Sequence, residues 1–463
     1  MKKICILISF ALVSLVNIAN AGSSDWLLAK SFGGPAGEEA KDICTDASGN
    51  IYVTGFFNSP TITFGKDTLT SNGSGDIFVV KYDIVGNVIW ARNAGGEAYD
   101  ESNSICADAA GNVYVTGYFQ SANFTFGKTD LDNSGNMDVF ILKYDASGNP
   151  VWAKRKGGEG NEAGQSIHVD GANNLFVTGY FQSHTITFGK TTLVNNSATG
   201  TSDIFIAKYD PTGTLVWAYS AGGSSYDFGT EISTDANGNV LLTGYFKSPV
   251  FTIGGTTLKN ASADGTISDI FIAKFDALGV LVWAKSAGGP SDDGSTGICS
   301  DAAGNVFITG YFQSAAITFG TVALTNTGSY DIFITKYDAS GNVIWAKNPV
   351  GASYDYASGI CTDTKGNLFL TGYFQSPTIT FGTSVLTNSS GGSTSDIFVA
   401  TFDPLGNATN AKSAGGTADD ESNAICVDAN GNVRIAGYFQ SPTISFGSST
   451  LTNAGSNDIF IAM

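Results

Sequence analysis

Residues 111–119 read Gly-Asn-Val-Tyr-Val-Thr-Gly-Tyr-Phe, and near-copies of this stretch begin at Gly49, Asn173, Gly238, Gly304, Gly366 and Gly431. Alternating β-branched and aromatic residues behind a Gly-Asn pair predict a strand entered from a tight turn. A second motif, Asp-Ile-Phe or Asp-Val-Phe, begins at Asp76, Asp138, Asp203, Asp269, Asp331, Asp396 and Asp458. Together they mark a unit of 62 to 66 residues that recurs seven times. Strand-rich repeats of that length point to a propeller or a related array.

Each unit holds four strand candidates. In the second copy these are Ser104–Asp108, Val113–Phe119, Asp138–Tyr144 and Pro150–Lys154, with Asp-x-x-Gly-Asn turns after the first and the third. Four antiparallel strands make one blade. The chain ends at Met463 inside a third strand, whereas Leu27-Leu28-Ala29-Lys30 near the start is an orphan fourth strand. The two fragments add up to one blade, and pairing them removes exposed strand edges. The expected fold is therefore all-β: a seven-bladed propeller of four-stranded antiparallel blades, closed by the N-terminal strand completing the last blade.

The fourth strand carries Trp at 90, 152, 217, 283 and 345, with Leu28 and Asn410 in the remaining copies. A repeated indole on an outer strand is expected to anchor one blade on the next, which makes Asn410 a weak point. The segment Ser376-Pro-Thr-Ile-Thr-Phe-Gly382 and its counterparts predict an added strand pair.

Residues 1–21 differ from everything that follows. A positive start at Met1-Lys2-Lys3, an apolar stretch from Ile4 to Ile18 and Ala19-Asn20-Ala21 together read as a secretory signal peptide. The apolar stretch is too short to span a bilayer. Residues 22–463 are then one exported domain, expected at the cell surface, in the periplasm or outside the cell.

A net charge of −18 argues against nucleic acid or insertion into an anionic membrane. Most of that charge comes from repetition, since 27 of the 41 acidic residues stand at four repeat positions. After signal removal five cysteines remain, Cys44, Cys106, Cys299, Cys361 and Cys426, all at one repeat position that His168 and Ser233 fill in the other copies. Stacked sheets place equivalent residues about 10 Å apart, beyond disulfide reach, so small buried fillers are expected. No Cys-x-x-Cys spacing, and hence no metal centre or cofactor, is read from the sequence.

The pattern Ile-x-x-Asp-x-x-Gly-Asn-x-Tyr-Val-Thr-Gly-Tyr-Phe followed by Asp-Ile-Phe-Ile-x-Lys-Tyr-Asp-x-x-Gly-Asn-x-x-Trp resembles the bacterial SBBP repeat, a seven-bladed β-propeller family. The resemblance covers essentially the whole mature chain. It implies secreted or surface-exposed propellers without established catalytic residues. Relatives often carry extra domains for adhesion or sorting, and none is visible in this sequence.

Length variation is confined to one loop. Between the Phe of strand two and the Asp of strand three lie 18, 18, 21, 22, 18, 21 and 18 residues. That loop and the connection between blades share one side, where function is expected. On that side one acid recurs in every copy: Glu38, Asp100, Glu162, Asp227, Asp293, Asp355 and Asp420. Two readings stay open for these carboxylates. They cap N–H groups of their Gly-Gly loops, or they form an acidic mouth around the channel that attracts cations or polyhydroxylated ligands. The 2.3–2.6 Å that calcium ligands require argues against one calcium ion shared by the ring. Asp-x-Asn-Gly-Asn at Asp235 and Asp428 lacks the downstream Glu of a calcium loop and reads as a turn.

Tyr99, Tyr226, Tyr354 and Tyr356 stand beside these acids. Aromatic faces next to carboxylates suit sugars. Blade three is the outlier, with His168, His184 and Lys154-Arg155-Lys156. No Gly-x-Ser-x-Gly and no histidine pair at metal spacing is present, and acids repeated around a ring are poor catalytic pairs, Asp292-Asp293 and Asp419-Asp420 included. The expected function is non-catalytic binding or adhesion through a glycan or protein ligand. A structural scaffold in an exported assembly is the alternative, and a polysaccharide-active enzyme a third reading.

Overall fold

The computed structural model describes residues 26–197 and 200–463, so the signal-peptide reading lies outside the described residues. These residues form seven four-stranded antiparallel sheets, seven two-stranded sheets and no helix. In the second blade the strands are Asp100–Ala107, Val113–Phe119, Asp138–Tyr144 and Pro150–Lys156, paired in chain order from the channel outward. The first strand is longer than the sequence pattern indicates, because a bulge between Ser102 and Ser104 interrupts its alternation. The recurring acid therefore opens the first strand and does not sit in the loop before it.

Strand and turn chemistry account for the blades. In every Asp-x-x-Gly-Asn turn the aspartate accepts from the backbone two and four residues on; Asp108 Oδ1 accepts from Ala110 N at 3.0 Å and Asn112 N at 2.9 Å. Gly111 there has φ +78°, and Asn173 fills the same left-handed position in blade three at φ 63°. The Gly of Thr-Gly-Tyr-Phe has a different cause. A Cβ at Gly117 would collide with the Glu101 carbonyl at the bulge.

The core is divided into seven layers, each between neighbouring blades. Tyr52, Ile77, Val79 and Trp90 of the first blade, for example, pack on Ile105, Val115, Phe119 and Phe140 of the second. The added hairpins, such as Asn123–Phe126 with Thr129–Asp132, contribute Phe124 and Phe126 to these layers. Phe124 stacks on Phe140 at 5.2 Å between ring centroids.

Ring closure follows the sequence reading. Ala29–Phe32 pairs antiparallel with Asp458–Ala462, Ser31 lying opposite Phe460, and Met463 N donates to Leu28 O at 2.9 Å. Each Trp lies against the turn glycine of the next blade: a Cβ at Gly148 would come within 2.7 Å of the Trp90 ring, whose Nε1 donates to Ala146 O at 3.3 Å. Leu28 covers Gly86 in the same way. Asn410 faces the seam where the chain ends meet, and Trp26 and Met463 line a space of about 140 Å³ beside it.

Candidate functional site

The first strands of all seven blades line the central channel, and their side chains form successive rings along it. Ile43, Ile105, Ile167, Ile232, Ile298, Ile360 and Ile425 make an aliphatic ring. Beside it stand the five free thiols with His168 and Ser233, around a cavity of about 310 Å³. Burial pushes these thiols up and holds His168 down to about 4, with its Nε2 3.0 Å from Thr234 Oγ1. Two carboxylates project into this interior: burial raises Asp42 to about 6 and Glu231 to about 8.

At the long-loop end the recurring acids do not form an open mouth. Glu38, Asp100, Glu162, Asp227, Asp293, Asp355 and Asp420 are all 0–1 % exposed. Asp100 shows why: Oδ1 accepts from Gln120 N and Ser121 N, and Oδ2 accepts from Gly96 N and Ser121 Oγ, at 2.7–3.2 Å. The capping reading describes this geometry, and the acidic-mouth reading of these seven residues does not. A third-strand aspartate lies near each cap across the blade boundary, and burial together with Asp100 raises Asp76 to about 7. Asp227, Asp293, Asp355 and Asp420 are likewise raised, to between about 6 and about 7, chiefly by burial.

The mouth is built from the next residue along. In an extended strand neighbours face opposite ways, so the residue after each cap takes the other face: Glu39, Glu101, Phe228, Tyr356 and Glu421 are partly exposed there, while the small Ala163 and Gly294 are covered. Each stands opposite the aromatic of Thr-Gly-Tyr-Phe on strand two, as Glu101 opposite Tyr118, Tyr356 opposite Tyr373 and Glu421 opposite Tyr438. A ring of seven aromatics, Phe56, Tyr118, Tyr180, Tyr245, Tyr311, Tyr373 and Tyr438, therefore frames the entrance.

This ring has two unlike halves. Over blades seven, one and two it is acidic. Lys41 Nζ bridges Glu39 at 2.8 Å and Glu101 at 3.4 Å and lies 5.2 Å from the Phe56 ring, and Glu101 also accepts from the hydroxyls of Tyr99 and Tyr118. Over blades five and six it is a tyrosine cluster. Tyr311 stacks on Tyr356 and Tyr356 on Tyr373 at 5.1–5.2 Å, and Tyr330 stacks on Tyr354 at 5.0 Å. With Gln375 and Glu421 these rings enclose a recess of about 340 Å³.

Of the sequence candidates, Tyr354 lines this recess and is 46 % exposed, Tyr226 is 40 % exposed beside Phe228, and Tyr99 belongs to the acidic half. Sequence reasoning missed Tyr311, Tyr330, Tyr373 and Glu421. The signal for Glu421 was a first-strand position whose residue changes from copy to copy next to a recurring acid; Tyr311 and Tyr373 stand at the aromatic of Thr-Gly-Tyr-Phe on strand two, and Tyr330 just before strand three. Blade three, singled out for its basic cluster, uses it internally: Lys154 lies over Trp152, Lys156 over Phe188, and Arg155 pairs with Asp138. Asp292, by contrast, meets Lys247 at 3.5 Å and caps Ser268.

No family model matches the chain. An uncharacterized WD repeat-containing protein of Acanthamoeba polyphaga mimivirus is 26% identical over 522 residues, covering 94% of this chain and 38% of the relative. The regulatory protein FlaEY of Caulobacter vibrioides is 26% identical over 211 residues, covering 43% of this chain and 22% of its own length. The chain thus spans well under half the length of these curated relatives. Among solved structures, the WD40 β-propeller domain of Doa1 aligns over 94% of this chain and 96% of that one at 11% identity, with a TM-score of 0.44. Sqt1 from Chaetomium thermophilum aligns over 94% and 99% at 9% identity, with a TM-score of 0.37. This chain is a β-propeller of repeats with a WD repeat-containing protein among its similar sequences.

Proposed function

We propose that this chain is an exported, non-catalytic binding propeller of the SBBP repeat type that takes a glycan at the channel mouth. The observation that carries the reading is the recess walled by Tyr311, Tyr330, Tyr354, Tyr356 and Tyr373 with Glu421 at its edge. Aromatic rings stack on the apolar faces of sugars while hydroxyls and a carboxylate meet sugar hydroxyls. The recess belongs to a rigid scaffold, so a ligand orders little of the protein on binding. Catalysis has little support from the mouth acids: Lys41 and tyrosine hydroxyls close Glu39 and Glu101, and Asp419 beside Glu421 accepts from Ser395 N. A glycan array of the purified mature chain tests the reading, with retention expected for the native protein and lost in Tyr354→Ala/Tyr373→Ala. Equal retention by that variant moves the site elsewhere.

A scaffold role has its own support on the outer rim. Ile89, Val151, Val216, Val282 and Ile344, on the fourth strands of the first five blades, are 42–55 % exposed and form a discontinuous aliphatic belt. Stable co-isolation with a partner that survives loss of the mouth tyrosines favours this second reading.

A further inference from the structure

The mouth carries three carboxylates at one repeat position on successive blades, Glu421, Glu39 and Glu101, and a single ammonium to serve them. Lys41 takes Glu39 and Glu101. Among the described residues no ion pair reaches Glu421, whose neighbours are the Tyr438 hydroxyl, the carboxylates of Asp419 and Glu39 and, beyond ion-pair distance, the Lys41 ammonium that serves the other two. Burial first, and those two acids next, push Glu421 up to about 7. It is also the one member of the three that borders the tyrosine recess.

Lys41 shows what fits such a place. Its ammonium lies between carboxylates and over an aromatic ring, the Phe56 centroid being 5.2 Å away. Ion pairing and cation–π attraction both strengthen where water is withdrawn. Glu421 offers similar surroundings with no ion pair of its own: a carboxylate, the Tyr373 and Tyr356 rings beside it, and open volume in front. An anionic sugar would meet the negative field of Asp419 and Glu39 there, whereas an ammonium offsets that field and favours the ionised form of Glu421.

We propose that the saccharide bound at this mouth bears a free amine, whose ammonium pairs with Glu421 while a sugar ring packs on the exposed face of Tyr354. The assignment rests on the glycan reading above and adds the charge class of the ligand. Lys41 is then the chain's own occupant of the neighbouring half of the mouth.

The test is titration calorimetry of the mature chain with β-1,4-linked glucosamine oligomers and with N-acetylated oligomers of the same length, near neutral pH. The amine form is expected to bind at least about tenfold more tightly, to weaken as salt rises from about 50 to about 300 mM, and to lose about tenfold or more in Glu421→Gln. That isosteric variant should unfold within about 2 °C of the native chain, which separates lost pairing from lost fold. Equal or tighter binding of the N-acetylated oligomer, or an amine preference that persists in Glu421→Gln, overturns the proposal and leaves the glycan reading standing. Binding only of neutral glycans from a wider panel has the same meaning. If no glycan of either class binds, the underlying reading falls and this proposal falls with it.

Discussion

Ala29 and Ala462, from opposite ends of the described chain, face each other across one antiparallel ladder. Four such pairs, from Ala29 with Ala462 to Phe32 with Ile459, turn a linear run of repeats into a closed ring. Without that ladder the third strand Asp458–Ala462 is a bare edge, and neighbouring blades lose their mutual support.

Removing residues 26–32 is therefore expected to lower the melting temperature by more than about 10 °C and to promote self-association through the open edge. Phe460→Ala, at a fully buried ring beside the same ladder, should cost about 3–5 kcal/mol. Calorimetry with size-exclusion chromatography reads both effects. A truncated chain that stays monomeric and melts unchanged contradicts the importance of closure.

The Trp-to-glycine contacts between blades are separable from turn strain. Gly148 and Gly431 both have positive φ, but a Cβ at Gly148 meets the Trp90 ring, whereas at Gly431 nothing lies within 4 Å. Alanine at Gly431 should cost about 1 kcal/mol from backbone strain alone, and at Gly148 clearly more, by about 1–3 kcal/mol of displaced packing. Equal losses on denaturant titration would remove the indole seat from the account.

Buried carboxylates set the pH response. Burial raises Asp76, Asp227 and Asp269 to about 7 and Glu231 to about 8, from ordinary values near 4. The folded chain then holds protons that the unfolded chain has released, so this stability is complete below about pH 4 and is lost as pH rises through about 7 to 8. Denaturation at about pH 5 and about pH 8 should differ by at least about 3 kcal/mol in favour of the lower pH. Glu231→Gln should reduce the difference. Stability that rises over this window shows that these acids ionise freely in the folded state.

Caps and mouth are expected to respond in opposite ways. Asp100→Ala strips the acceptor from Gly96 N, Gln120 N, Ser121 N and Ser121 Oγ, and should lower stability by about 2–4 kcal/mol. Tyr354→Ala, at an exposed ring, should change stability by less than about 1 kcal/mol while weakening ligand retention. Paired melting curves and glycan retention measure the contrast, which fails if Asp100→Ala leaves the fold untouched.

Blade number, strand order, turn positions, the added hairpins and ring closure were all legible in the chain, because each is a local pattern repeated seven times. Gly111-Asn112 specifies its turn wherever it stands, and the orphan Leu27–Lys30 lacks a sheet until Asp458–Ala462 is found to lack a strand. The candidate site was only partly legible. The invariant acid at Asp420 drew attention for its regularity, yet regularity was the mark of a structural cap, and the informative residue was its variable neighbour Glu421. Asn410 reads as a defect in sequence; in space it borders the chain-end seam, with Trp26 and Met463 beside it.

The sequence by itself determined the propeller, since period-two strands and Asp-x-x-Gly-Asn turns are satisfied by contacts within one blade. Only the tertiary structure decided which carboxylates meet solvent and which tyrosines share a recess. Those facts depend on a one-residue bulge in each first strand and on the convergence of blades some 60 residues apart. A local repeat carries no information about which of its copies will stand side by side at the rim.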